Sequence, residues 1–181
     1  MQVTTIRLVP HPGSPHPNID VRVEIAREPG LLRVWFVVTG DLAVLRMPAA
    51  EKPARYDGLW NYTCFEVFLR GAAGESYCEF NVAPSRRWAA YQFDSYRQGM
   101  AYLREPEPIS VSTQASHSVT VSVEIDLNEL PMSPPLRLGL CAVIEDLKGG
   151  KSYWALRHPQ GQPDFHHPDC FAIQLPAPSK A

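Results

Sequence analysis

Glu66 and Glu79 are the residues from which chemistry could most readily be built. They sit on two segments of alternating polarity, Tyr62 to Arg70 and Glu75 to Val82, joined through Gly71-Ala72-Ala73-Gly74, which has the composition of a hairpin turn. Alternation places Phe65, Val67 and Leu69 on one face and Cys64, Glu66, Phe68 and Arg70 on the other. On the return segment Cys78, Phe80 and Val82 oppose Tyr77, Glu79 and Asn81. A turn symmetric about Ala72-Ala73 predicts Phe65 opposite Phe80 and Glu66 opposite Glu79. Carboxylates facing each other across a strand pair repel. Such a pair needs a cation between them, from Arg70, Arg86, Arg87 or a bound Ca²⁺, or a polar ligand that both grip through hydroxyl groups. The plainer alternative is two exposed side chains splaying into water. Paired carboxylates also cut sugars when suitably spaced, which makes Glu66 and Glu79 the candidates under an enzyme reading. The reading adopted is a non-catalytic binding site with no catalytic residue.

Aromatic residues crowd the same stretch. Trp60 precedes the first hairpin strand, Trp88 opens the next one, Tyr91, Tyr96 and Tyr102 follow, and Trp154 ends Lys151-Ser152-Tyr153-Trp154. A sugar ring requires a flat apolar platform for its C–H face and charged or amide groups for its hydroxyls, and Trp with Glu, Arg, Asn and Gln supplies both. Each aromatic taken alone is equally a core residue with one polar tip. Six histidines are present, three of them between His158 and His167, but no HxxxH or HxH spacing occurs, so no transition-metal set is predicted. Cys64, Cys78, Cys141 and Cys170 lie scattered without a CxxC and read as buried free thiols of a reducing compartment.

The elements that must position these residues are strands. The 18 prolines among 181 residues argue against long helices. Asp20 to Arg27 alternates cleanly, Glu28-Pro29-Gly30 turns the chain, and Leu31 to Thr39 returns. Further strands are predicted at 87–93, 109–113, 119–125, 136–144, 152–156 and 171–175, and only Asp126 to Leu130 looks helical, as a single turn. About ten short strands make an all-β fold, an antiparallel β-sandwich of jelly-roll type with almost no helix. One domain is expected over 1–181, with 1–18 and 176–181 loosely ordered. A net charge of −2 gives no pull toward nucleic acid or membrane, so neither is expected as a partner. With no apolar run of about 18 residues and no basic start followed by an apolar stretch, the expected location is cytoplasmic.

Trp60-Asn61-Tyr62-Thr63-Cys64-Phe65-Glu66-Val67-Phe68 resembles the DOMON-like superfamily, in particular its family 9 carbohydrate-binding modules. The pattern is a Trp, six residues later a Glu on a strand, then a strand of the form Tyr-x-x-Phe-Asn, matched by Tyr77-Cys78-Glu79-Phe80-Asn81. Arg86-Arg87-Trp88 and Tyr153-Trp154-Ala155-Leu156 look like further family positions, and the Trp-Ala-Leu-x-His-Pro and Pro-Asp-Phe-His stretches resemble a bacterial stand-alone group of this length. The resemblance implies a carbohydrate, or another small polar ligand, held on the concave face of the sandwich. Trp60 and Trp154 would clamp the sugar ring, Glu66 and Arg87 would bind its hydroxyls, and Glu79 and Asn81 would lie beside them. It also implies a structural Ca²⁺ as a cofactor to consider. Other branches of the superfamily hold heme through Met with His or Lys, for which this chain offers Met47, Met100 and Met132 with His117 or His158. None of these forms a recognisable heme pattern, and heme is not expected.

Overall fold

The computed structural model describes residues 3–15, 17–104 and 107–175, so His16 and the tail expected to fray lie outside the described residues. In chain order the strands are β1 (Val3–Arg7), β2 (Val9–Pro10), β3 (Ile19–Glu28), β4 (Leu31–Gly40) and β5 (Ala54–Arg55). Next come β6 (Cys64–Gly71), β7 (Tyr77–Val82), β8 (Arg87–Phe93), β9 (Ala101–Tyr102) and β10 (Ile109–Gln114). The last four are β11 (Ser118–Asp126), β12 (Leu136–Glu145), β13 (Lys151–Ala155) and β14 (Ile173–Leu175). The fold is an all-β sandwich, and its helical content among the described residues is three short 3-10 turns. Asp126 ends β11, and Leu127 to Leu130 forms a bend and turn rather than the expected helical turn. The Asp126 carboxylate accepts from the Asn128 backbone N–H at 2.9 Å, an Asx-type turn that competes with helix.

One sheet has the order β1-β3-β4-β11-β10 and is antiparallel throughout. The other has the order β2-β13-β12-β6-β7-β8-β5, with β14 also on β12 and β9 also on β8. Among the described residues its one parallel pairing is between β5 and β8. Residues 3–7, expected to be loose, are paired from Val3↔Ala26 to Arg7↔Arg22 as an edge strand.

Alternation decides what each face touches. Val21, Val23, Val34, Phe36, Val121 and Val123 from the first sheet meet Phe65, Val67, Leu69, Phe80, Leu138 and Leu140 from the second, all fully buried. The far face of the first sheet carries ion pairs, Arg7–Asp20, Arg22–Glu24 and Arg33 with Glu124, and faces water. The far face of the second sheet differs. It holds its own buried cluster of Cys64, Phe68, Tyr77, Tyr91, Phe93 and Cys141, covered by Phe165 and Phe171 from the segment after β13. Polar residues on that face are therefore removed from water, which makes it the face able to carry a site.

The register of the central hairpin differs from the one expected. Glu66 pairs with Asn81, Phe65 with Val82 and Phe68 with Glu79. The turn is centred one residue later than the sequence symmetry implied, which slides the partner strand by two positions. A slide of two preserves every face, so Glu66 and Glu79 remain on one surface as diagonal neighbours rather than an opposed pair.

Candidate functional site

On the outer face of the second sheet a cavity of about 420 Å³ is lined by Glu66, Glu79, Phe93 and Val143 from strands, and by Trp60, Arg97, Tyr153, Phe165 and His166 at its walls. Trp60 lies in the 3-10 turn Leu59–Asn61, entered through Gly58 at φ 79°, a left-handed conformation suited to glycine. Its indole is 40% exposed and leans edge-on against Tyr91, with ring centroids 5.8 Å apart. Tyr91 is in turn fixed by donating to the Asp57 carboxylate at 2.7 Å, and Tyr102 donates to the other Asp57 oxygen at 2.8 Å. The Tyr91 bond, then the Tyr102 bond, holds the Asp57 carboxyl below its ordinary range. The exposed indole thus stands on an ordered base.

Glu66 and Glu79 form the floor, 3% and 4% exposed. Burial raises the Glu66 pKa well above the usual carboxyl value, and the Glu79 charge raises it further against the opposing pull of Arg97. Burial also raises Glu79, to about 7, although the Asn81 hydrogen bond and Arg97 pull the other way. Two acids this close and this dry do not both ionise at neutral pH. Asn81 Nδ2 donates to Glu79 Oε1 at 2.7 Å, whereas Glu66 Oε1 is buried without a hydrogen-bond partner.

The remaining polar wall is a relay anchored in the sheet. The Arg97 backbone N–H donates to the Tyr77 hydroxyl at 3.2 Å, and that hydroxyl lies 2.7 Å from His166 Nδ1. Burial lifts Tyr77 to about 12, so it keeps its proton, and burial with the Arg97 charge lowers His166 to about 4, so the ring is neutral. Tyr77 therefore donates to Nδ1, which assigns the hydrogen to His166 Nε2, 3.7 Å from Glu79 Oε2. Arg97 Nη2 is held by Asp164 Oδ1 at 2.7 Å.

The six residues predicted for the site divide. Trp60, Glu66 and Glu79 converge on the cavity, and Asn81 supports Glu79 from beneath. Trp154 does not take part. It is 3% exposed, faces the core between the sheets and donates from Nε1 to Ser152 Oγ at 2.9 Å. The reason is parity: Trp154 is on β13, where Lys151 and Tyr153 face outward and Ser152 and Trp154 inward. Tyr153, its neighbour, is the aromatic of this strand that lines the cavity. Arg87 shares the outer face but lies at the far end of β8, beside Glu51 and over the Tyr56 ring, and lines a different cavity. The cation at the acidic floor is Arg97, from the loop after β8. Arg70 is instead over the Phe171 ring, and Arg86 donates to the Ser110 carbonyl.

Among the methionines considered for heme, Met100 lines the cavity, while Met47 and Met132 pack against the inter-sheet core. His117 is exposed in the turn between β10 and β11, and His158 binds the Val9 carbonyl. Among the described residues no group of three or more His, Cys, Asp or Glu is placed to hold a metal. Arg97, Tyr153 and His166 were not singled out as site residues from the sequence. The parity of Tyr153 against Trp154 was a usable signal, whereas Arg97 and His166 arrive on loops.

No protein-family model matches the sequence, and no curated protein sequence matches it. Solved structures share the fold, two of them as follows. One is a Bacteroides uniformis protein provisionally assigned as carbohydrate-binding, 14% identical with a TM-score of 0.66, covering 93% of this chain and 83% of that one. The other is a family 9 carbohydrate-binding module from Caldicellulosiruptor kristjanssonii in complex with cellotriose, 12% identical with a TM-score of 0.50, covering 87% of this chain and 75% of that one. The chain has a carbohydrate-binding-module-like fold. At these identities the likeness is one of fold.

Proposed function

We propose that the cavity binds a carbohydrate, with Trp60 and Tyr153 as aromatic walls and Glu66, Glu79 and Arg97 addressing hydroxyl groups. The observation that carries this reading is the buried Glu66 oxygen without a partner in a cavity also lined by an exposed, braced indole. A buried polar atom left unpaired costs about 1–3 kcal/mol, and a ligand hydroxyl entering the cavity would remove that penalty. A protonated carboxyl both donates and accepts, which suits a hydroxyl and gives no preference to a charged ligand. The fold neighbours add support, since one is a carbohydrate-binding module with a bound trisaccharide. They also favour binding over turnover.

Calorimetric titration with cellotriose, beside a glycan array, tests the proposal. Binding should appear in the parent and weaken by roughly tenfold or more in Trp60→Ala, the loss expected for removing a stacking platform. Glycan binding that survives Trp60→Ala unchanged, or an array with no hit, would overturn it. Hydrolysis of aryl glycosides that disappears in Glu66→Gln would instead assign Glu66 and Glu79 to catalysis.

A further inference from the structure

A second cavity, of about 320 Å³, opens on the same outer face of the second sheet, beyond the turn that carries Trp60. Glu145 lies at its base, 9% exposed, with Oε1 3.2 Å from Arg46 Nε and Oε2 buried without a partner. Thr63 locks this base: its hydroxyl donates to the Arg46 carbonyl at 2.8 Å and accepts from the Glu145 backbone N–H at 3.1 Å. At the rim stand Tyr62, 53% exposed, and Tyr56, 43% exposed. The Arg87 guanidinium lies 4.8 Å over the Tyr56 ring and 3.4 Å from Glu51.

The charges decide the ligand class. Two arginines and two carboxylates line the cavity, each arginine beside a carboxylate, so the two ion pairs leave the lining no net charge that would favour a free anion or cation. An uncharged polyol breaks neither. It can accept from the guanidinium edges, donate to the orphaned Glu145 oxygen, and lay a C–H face on an exposed tyrosine.

The position decides the relation to the first cavity. Trp60 and Asn61 line the first and Leu59 and Tyr62 the second, so one turn is the wall common to both. On β12, Val143 lines the first and Glu145 the second, two residues apart on one face, a step of about 7 Å along the strand. We propose that the Glu145 cavity is a second sugar-unit subsite, so that the ligand is an oligosaccharide lying across the Leu59–Tyr62 turn rather than a single sugar. This rests on the reading of the first cavity as a carbohydrate site.

Backbone-amide NMR titration with cellotriose and with D-glucose tests it, in the parent and in Tyr62→Ala, whose side chain is exposed enough to be removed without unfolding the protein. Cellotriose should shift amides around Thr63, Arg87 and Glu145 together with those around Trp60 and Glu66. Tyr62→Ala should reduce the preference for cellotriose over glucose by roughly tenfold. Cellotriose shifts confined to Trp60, Glu66 and Tyr153, with Tyr62→Ala binding like the parent, would remove the subsite and leave the first cavity's role intact. Shifts confined to the Glu145 cavity, or none at all, would remove the carbohydrate reading of the first cavity and the extended site with it.

Discussion

Replacing Glu79 with glutamine isolates the electrostatic condition of the cavity floor. The new amide can still accept from Asn81 through Oε1, so the 2.7 Å bond survives, and what disappears is the titration. In the folded protein burial raises Glu79 from 4.5 to about 7. The folded state therefore holds a proton that the unfolded chain releases. Above pH 4.5 stability falls as pH rises, until the folded group ionises near pH 7. A rise of about 2.5 at about 1.4 kcal/mol per pH unit gives a loss of about 3 kcal/mol, complete by about pH 8. His166 works in the opposite sense. Lowered to about 4, it stays neutral while the unfolded ring charges below 6.5, so stability falls as pH drops from 6.5 toward 4. Between pH 4.5 and 6.5 the two slopes oppose, and the parent's own profile there is a poor witness. The difference between Glu79→Gln and parent removes the His166 contribution, and losing the Glu79 charge also relaxes the rise at Glu66, which adds to the variant's gain in the same direction. Urea unfolding at pH 4.5, 6, 7 and 8 should show near-equal stabilities at the acid end. The variant should gain steadily, to about 3 kcal/mol or more at pH 8. A difference independent of pH, or a variant that loses ground as pH rises, would refute the reasoning. Either result would mean that Asn81 and Arg97 outweigh burial at Glu79.

Three further outcomes follow from particular contacts. Trp154→Ala empties a core position and should cost about 3–5 kcal/mol in urea unfolding, whereas Tyr153→Ala should weaken carbohydrate binding with a much smaller effect on unfolding. Gly40→Ala should destabilise by roughly 2 kcal/mol or more in thermal melts, because φ is 109° there and a Cβ would lie 2.4 Å from the Asn18 carbonyl oxygen. The four cysteines are free and buried, and burial raises their thiols, Cys78 and Cys170 to about 12. Ellman's reagent should therefore leave all four unmodified in the native protein and titrate four on unfolding, and rapid native labelling would contradict the burial.

Much of the site was legible in the chain itself, because strand parity is a local property. The Phe65-Val67-Leu69 series sends Glu66 to the opposite face, and Cys78-Phe80-Val82 does the same for Glu79 and Asn81. Both sides of that sorting hold in the structure, and they survive the shifted register because a two-residue slide does not exchange faces. The composition of the stretches 20–27, 31–39 and 119–125 likewise determined long strands and, from their apolar halves, a two-layer core.

What parity cannot supply is depth, register or the company a face keeps. Whether Glu66 is wet or dry depends on Phe165 and Phe171, far along the chain, closing over the second sheet. Register depended on where the Ala-Gly turn folds, which the structure sets with Gly74 in the left-handed position at φ 82°, while the sequence offers Gly71 and Gly74 alike. Pairing Trp154 with Trp60 as the clamp overlooks that Lys151-Ser152-Tyr153-Trp154 is a strand, in which neighbours face opposite ways. Arg97 and His166 reach the acidic floor from loops distant in sequence, held by Asp164 and Tyr77. The alternating side chains therefore determined which residues share a surface, since each strand residue's direction follows from its immediate neighbours. That this surface is buried, hollow and lined by Arg97 and Tyr153 came from the packed chain alone, since desolvation and convergence are set by segments far apart in sequence.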